Sequence, residues 1–176
     1  MNRTCSECEP FEAKPLAIAR SRHFKARLNG QDQRFPGRLI IATHAHIPAL
    51  REWTEEHWIE FGRFEGALER ALKEAFDPGE PNKLVNASCL MNLAREEGTH
   101  THWHIVPRYR KPITLTDPET GEALRFRDDF YGRPYSFDHS LYRQVSPALA
   151  RSIIQGIQSK LDLDDIEGAE LRRFAD

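Results

Sequence analysis

Residues 99–109 read Thr-His-Thr-His-Trp-His-Ile-Val-Pro-Arg-Tyr, so that three histidines alternate with single intervening residues. The β-branched and aromatic residues of this stretch favour extended backbone and predict a β-strand. Side chains alternate between the two faces of a strand, which places His100, His102 and His104 on one face, about 6.6 to 7 Å apart. Buried neutral imidazoles cost free energy unless each ring finds a hydrogen-bond partner. The row therefore predicts a chemical role, either direct catalysis or metal ligation.

Direct catalysis would use the imidazole ring as a nucleophile. Its ordinary pKa is about 6.5, so much of it is unprotonated at neutral pH and can form a covalent intermediate with a phosphoryl group. The attack requires that the other ring nitrogen is held as a donor. The alternative is a metal-dependent enzyme in which a His-x-His pair of the row binds one ion. Only a pair could do so, because His100 and His104 lie about 13 to 14 Å apart on a strand and cannot both bind the same ion.

The segments on either side of the histidine row predict one α+β domain. Residues 83–92 are extended in character and predict a hairpin with the histidine strand, while 38–43 predict a mostly buried strand. Thr54 can cap a long helix whose apolar residues recur at three- and four-residue steps, and Ser146 precedes a last helix. Residues 111–139 lack periodicity and predict an ordered excursion over the surface.

Length and charge limit the classes of protein that fit. A chain of 176 residues with 39% apolar residues suits one domain, predicted at 1–161, followed by an acidic, frayed tail at 162–176. The net charge of -2 gives no overall attraction to a nucleic acid polymer or an anionic membrane. No window approaches the roughly 18 apolar residues of a membrane span, and no signal peptide is evident. The expected location is therefore the cytoplasm.

The histidine row and its surroundings resemble the histidine triad (HIT) family. Residues 100–106 match its His-x-His-x-His-x-x signature, and the following Pro-Arg-Tyr resembles the bacterial diadenosine polyphosphate hydrolase-like branch. Upstream, 35–41 and His46 match the family's glycine-containing strand and histidine, so the resemblance covers roughly 5–109. It implies a HIT-like domain: an antiparallel sheet of about five strands with the long helix packed on it, here followed by a C-terminal helix. It also implies a homodimer.

The resemblance implies a chemical role for each histidine of the row. His102 would attack the α-phosphorus of a nucleotide, and water would hydrolyse the resulting nucleotidyl-histidine. His104 would bind a phosphoryl oxygen, and His100 would support the site. Branches that transfer nucleotidyl groups generally have glutamine at the position of His104, so hydrolysis is expected, with transfer left open.

The implied substrate is a nucleotide, adenine-containing by expectation, with a phosphoanhydride, phosphoramidate or phosphate-ester leaving group. The proposed attack requires no catalytic metal, because histidines and backbone donors can stabilise the phosphoryl charge. A noncatalytic nucleotide-binding or signalling module is the alternative that keeps the pocket without turnover.

Three further residues are predicted to contact the nucleotide: Asn29, Asn92 and Thr99. By resemblance, Asn92 would contact phosphate, and Asn29 stands near the position of an acidic ribose ligand in the family. Thr99 begins the histidine strand. The alternatives are that Asn29 is a turn residue before Gly30 and that Asn92 is a loop cap.

The amino-terminal sequence Cys-Ser-Glu-Cys at 5–8 has the spacing of metal ligands or of a redox pair. A structural zinc would need two more nitrogen or sulfur ligands. Bacterial proteins that this chain resembles can hold zinc with such a pair, a histidine matching His46 and the first triad histidine. The resemblance therefore implies a structural zinc on Cys5, Cys8, His46 and His100. The alternative is that both cysteines are reduced and idle, and His44 could replace His46.

Overall fold

The computed structural model describes residues 5–76, 84–90, 99–135 and 137–171. Its main feature is a six-stranded antiparallel sheet of β1 (Ala17–Arg20), β2 (Phe24–Leu28), β3 (Leu39–Thr43), β4 (Leu84–Ser88), β5 (His102–Arg108) and β8 (Glu170–Leu171). The order of the strands across this sheet is β4-β5-β3-β2-β1-β8. A separate hairpin consists of β6 (Ile113–Thr116) and β7 (Ala123–Phe126).

Two helices pack with this sheet, α1 (Glu55–Ala75) and α2 (Pro147–Gln158). Thr54 caps α1 by accepting a hydrogen bond from the backbone of His57, which confirms the predicted start of the helix. The Phe61 ring of α1 contacts the Trp103 ring of β5, with 4.9 Å between the ring centroids. Within the described residues, no helix combines the length and apolarity needed to cross a membrane.

Strand β5 has two chemically different faces. Trp103 and Ile105 face α1 and the core, whereas His102 and His104 occupy the opposite face, as the alternation of the sequence predicts. The predicted α+β fold is confirmed, with five longer strands, the long helix packed on the sheet and a C-terminal helix. The sheet gains the two-residue β8 as a sixth strand.

The described part of the predicted tail, 162–171, is packed against the domain instead of frayed. Ile166 is buried in the core, and Glu170–Leu171 pair with β1 as strand β8. An apolar side chain and free hydrogen-bonding groups at the sheet edge account for this attachment. Residues 172–176 lie outside the described residues, and the division at residue 161 stays a prediction.

The excursion after β5 covers the histidine face of the sheet and is fastened there by Arg108. This guanidinium is only 2% exposed and donates to the Asp128 carboxylate at 2.7 and 3.1 Å. It also donates to Asn86 Oδ1 of β4 at 2.8 Å and to the backbone carbonyl of Phe130 at 2.5 Å. One buried side chain therefore ties β4 and β5 to the excursion, which forms a wall beside the histidines.

Candidate active site and metal-binding cluster

The ring of His102 is held in one orientation by the backbone before it. Its Nδ1 lies 2.7 Å from the carbonyl oxygen of His100. A carbonyl can only accept, so Nδ1 carries the proton and Nε2 carries the lone pair. The Nε2 atom is buried and has no hydrogen-bond partner among the described residues. This is the arrangement that a nucleophilic imidazole requires.

His104 lies beside His102, with 5.1 Å between the two ring centroids. Burial, together with the charges of His102, Arg38 and Arg27, lowers the pKa of His104 to about 3. The ring is therefore neutral at physiological pH and has one nitrogen to donate and one to accept. Its Nδ1 is buried without a hydrogen-bond partner among the described residues, like Nε2 of His102.

Both rings line a cavity of about 400 Å³. Strands β2, β3 and β5 form its floor, where Arg27 pairs with Ile40 and Ile40 pairs with His104 across the sheet. One wall comes from the amino-terminal segment 7–16 and the other from 137–142 at the end of the excursion. The second wall is aromatic, and the Phe137 ring lies 5.3 Å from the His104 ring.

Charged residues that the sequence did not single out contribute to this cavity. Arg38 is buried under the rings of the second wall, with Cζ 5.5 Å from the centroid of Phe137 and 5.3 Å from that of Tyr142, and it donates to Asp32 at 2.5 Å. Glu7 accepts two hydrogen bonds from Arg27, at 2.5 and 3.3 Å. In the sequence, Arg38 stands directly before a buried apolar strand and Glu7 stands between two cysteines. Neither position indicates which residue, distant in sequence, the charged group would contact.

The three predicted nucleotide contacts fall in different places. Asn29 lines the cavity, and its Oδ1 accepts from the backbone of Gln31 at 3.0 Å, as in a turn. Thr99 donates its hydroxyl to the carbonyl of Pro48 at 2.8 Å and is not among the described residues that line the cavity. Asn92 lies outside the described residues. The structure therefore brings Asn29 to the histidines and does not bring Thr99 there.

Cys5, Cys8, His46 and His100 form a second cluster, whose potential ligand atoms all lie within 4.8 Å of one another. The Nδ1 atom of His100 is 3.5 Å from each cysteine sulfur, and Nδ1 of His46 is 3.3 Å from the sulfur of Cys8. Tetrahedral zinc with bonds of about 2.1 and 2.3 Å separates its ligand atoms by about 3.6 Å. The four residues therefore fit a tetrahedral ion.

The partners of His100 suit a metal ligand as well. Its Nε2 lies 3.0 Å from the carbonyl oxygen of Thr43 and 3.0 Å from the hydroxyl of the same residue. Donation from Nε2 to this carbonyl leaves the lone pair on Nδ1, the atom that faces the cysteines. Burial lowers the pKa of His100 to about 4, so the ring is neutral and able to ligate.

The position of His100 corrects one prediction. Strand β5 begins at His102, so His100 precedes the strand and its ring turns towards Cys5 and Cys8 instead of continuing the row. Of the three histidines of the row, His102 and His104 line the cavity and His100 is not among the described lining residues. In the part of the chain that the structure describes, the cysteine-containing cluster is the one group of three or more potential metal ligands, and neither His102 nor His104 belongs to it.

Comparison with known proteins gives a match in structure only. No protein-family model and no curated protein sequence matches the chain. A zinc-bound histidine triad family protein from Mycobacterium smegmatis aligns with a TM-score of 0.54 and 13% identity, over 89% of this chain and 94% of that protein. A hypothetical histidine triad nucleotide-binding protein from Sulfolobus tokodaii has a TM-score of 0.55 and 16% identity, over 88% and 93% of the two chains.

A uridylyltransferase also aligns, with a TM-score of 0.56 and 17% identity, over 90% of this chain and 46% of the larger enzyme. These similarities extend over most of this chain at low sequence identity, so they concern the arrangement of the backbone. The chain has the fold of the histidine triad proteins, and its histidine strand occupies the interior of the sheet.

Proposed function

We propose that this chain is a nucleotide-processing enzyme of the histidine triad type, in which His102 attacks the α-phosphorus of a nucleotide. The observation that carries the proposal is the Nδ1 hydrogen bond of His102 to the His100 carbonyl at 2.7 Å, which leaves Nε2 without a hydrogen-bond partner among the described residues, in a side chain that lines the cavity. A general base beside the nucleophile is unnecessary, because Nε2 already has its lone pair.

The first step forms a bond between Nε2 of His102 and phosphorus and breaks the bond from phosphorus to the leaving group. The leaving group departs with the bonding electron pair and takes a proton from water. The Nδ1 proton of His102 stays in place, and the His100 carbonyl stabilises the imidazolium character of the intermediate. The neutral His104 donates a hydrogen bond to a phosphoryl oxygen.

The second step is hydrolysis of the nucleotidyl-histidine. Water adds to phosphorus, the bond to Nε2 breaks, and the electron pair returns to the ring while a water proton is released to solvent. The residues that stabilised the first transition state stabilise the second, since both reactions exchange groups at the same phosphorus. The proposed substrate is a diadenosine polyphosphate or an adenosine phosphoramidate, as in the bacterial diadenosine polyphosphate hydrolase-like branch.

The proposal includes a structural zinc held by Cys5, Cys8, His46 and His100. The tetrahedral spacing of their ligand atoms and the second hydrogen bond of His100 support it. When bound, the ion would supply structural cross-linking between the amino terminus and the start of β5. No step of the reaction passes through it.

A homodimer and a cytoplasmic location complete the proposal. The outer face of α1 exposes Trp58 and Ile59, at 45% and 50%, and large exposed apolar side chains are common at protein interfaces. Sedimentation at several protein concentrations tests the dimer, and a monomer at all concentrations would contradict it.

The test of the function compares wild type, His102→Ala and His57→Ala on diadenosine tetraphosphate and an adenosine phosphoramidate. His57 lies in the first turn of α1 and is not among the described residues that line the cavity, so its variant is a matched control. A chelator is present at a concentration that leaves the tightly bound metal in place by metal analysis. We expect AMP release that survives the chelator, falls at least about 1,000-fold in His102→Ala and persists in the control. Mass analysis of quenched wild type should detect a nucleotidyl adduct on His102.

Other outcomes contradict the proposal. Turnover that the chelator abolishes but that does not depend on His102 would indicate a metal-dependent enzyme. Tight nucleotide binding without turnover or adduct would indicate a noncatalytic binding module.

A further inference from the structure

Glu7 and Arg27 form a nearly buried ion pair inside the cavity. The Glu7 side chain is 5% exposed and the Arg27 side chain 25% exposed, and both residues line the cavity with His102 and His104. Arg27 reaches Glu7 from the floor, where it shares a face and a cross-strand row with His104. With strands about 4.8 Å apart, these two backbone positions are separated by about 10 Å, within the span of one nucleotide bound at the histidines.

The pair keeps hydrogen-bonding capacity that no described residue uses. Arg27 donates to Glu7 through Nε and Nη2, which leaves Nη1 without a partner among the described residues. Each Glu7 oxygen accepts one of these bonds and has a further lone pair. Asn29 follows Arg27 by two residues on the same floor, and its amide nitrogen makes no hydrogen bond within the described part of the chain. The unused acceptor capacity of Glu7 therefore lies beside the unused donors of Arg27 and Asn29.

The charge of the pair decides which chemical group it suits. A carboxylate and a guanidinium in contact are neutral together, and the carboxylate opposes a second phosphoryl group beside the one at the histidines. A neutral group with several hydroxyls can donate to Glu7 and accept from Arg27 at the same time. Such charge-assisted bonds are stronger than bonds between neutral groups.

We propose that Glu7 and Arg27 are specificity-determining residues that bind the vicinal hydroxyls of a sugar ring of the substrate. This inference rests on the proposed function, because it assumes a nucleotide at the histidines. The sugar is either the ribose of the nucleotide or a sugar in the leaving group, and both present the same diol chemistry to the pair.

The test measures equilibrium binding to His102→Ala protein, in which the proposed turnover is blocked. The ligands are AMP, 2′,3′-dideoxy-AMP, ADP and an ADP-sugar. The variant Glu7→Gln/Arg27→Gln removes both charges together, so that no buried charge remains unpaired. The control is Arg20→Gln/Glu170→Gln, which removes an ion pair of 2.7 Å between β1 and β8 on the more exposed edge of the sheet. Thermal unfolding confirms that each variant is folded.

Two results support the inference and identify the source of the hydroxyls. If the ribose is bound, AMP binds at least about tenfold more tightly than dideoxy-AMP, and the double variant loses most of this preference. If the leaving-group sugar is bound, the preference for the ADP-sugar over ADP is lost instead. The control retains both preferences.

The remaining results overturn it. A double variant that binds all ligands more weakly by the same factor would show that the pair has only a structural role. Loss of a preference for ADP over AMP would indicate instead that Arg27 binds a second phosphoryl group. Unchanged preferences in folded protein would also refute the inference while leaving the catalytic proposal untouched. Absence of any nucleotide binding would overturn both proposals, whereas diol selectivity without turnover or adduct in the wild type would overturn only the catalytic one.

Discussion

The backbone carbonyl of His100 accepts the Nδ1 proton of His102 at 2.7 Å, while the ring of His100 points away towards Cys5 and Cys8. One residue therefore contributes to two candidate sites, with its main chain orienting the candidate nucleophile and its side chain joining the candidate metal-binding cluster. Because the two functions use different atoms, they can be separated by mutation.

Substitution of His100 by alanine should remove the metal but reduce the rate far less than His102→Ala does. The carbonyl that accepts from His102 belongs to the backbone and remains, so we expect kcat to fall by about tenfold, against at least about 1,000-fold for His102→Ala. Rates and metal content measured on the same preparations check this. Equal losses of kcat in the two variants would show that the His100 ring takes part in the reaction.

The cysteine cluster should bind one zinc ion per chain. Cys5→Ser and Cys8→Ser should lose the metal, whereas Cys89→Ser, outside the cluster, should keep it. A ligand present at about 100 times its Kd stabilises the folded state by about 2.7 kcal/mol, so metal removal should lower Tm measurably. Metal analysis and thermal unfolding test this, and wild-type protein that is purified from zinc-supplemented cells without metal would contradict it.

The low pKa of His104 should make the protein sensitive to acid. Burial first, and then nearby positive charges, lower this pKa to about 3, whereas an unfolded histidine titrates at about 6.5. The unfolded chain then binds the proton more tightly, so this contribution to stability is complete above pH 6.5 and decreases as the pH falls towards 3. His104→Gln should lose less stability than wild type between pH 7 and pH 4.5. Denaturant unfolding with His139→Gln as the control tests this, and identical pH dependence in all three proteins would refute it.

Arg108 should be among the most sensitive positions for stability. Replacing it by methionine leaves the Asp128 carboxylate, whose side chain is 0% exposed, without its guanidinium partner. Breaking a buried pair in this way costs about 3 to 5 kcal/mol. The control is Arg127→Met, because the Arg127–Asp129 pair is exposed at 73% and 61% and should change stability by less than about 1 kcal/mol. Similar unfolding free energies for the two variants would contradict the prediction.

Metal removal should also change sugar recognition. Glu7 lies between Cys5 and Cys8 in the sequence. An ion bound to the two sulfurs would therefore also fix the backbone that positions the Glu7 carboxylate beside Arg27. We expect chelated protein to lose part of the preference for AMP over dideoxy-AMP, in the same direction as the Glu7→Gln/Arg27→Gln variant. Binding measurements before and after chelation and zinc return test this, and a preference that does not respond to zinc would disconnect the two sites.

The cap of α1 at Thr54 and the alternation of His102, Trp103 and His104 were predictable from the sequence. These features depend on backbone periodicity and on contacts within a few residues, which the order of amino acids specifies directly. The histidine pair, the members of the cysteine-containing cluster and the class of fold followed from the same local patterns and from the resemblance that they carry.

The cavity and the direction of His100 were decided by tertiary structure. Glu7 meets Arg27 across 20 residues, and Cys5 meets His100 across 95, so these contacts exist only after the strands have paired. The start of β5 at His102 likewise coincides with the end of its register with β3, and His100, just before this start, contacts the cysteines. Local sequence specifies which face a side chain takes on a strand, whereas the assembled sheet determines where that strand begins and which distant groups share its face.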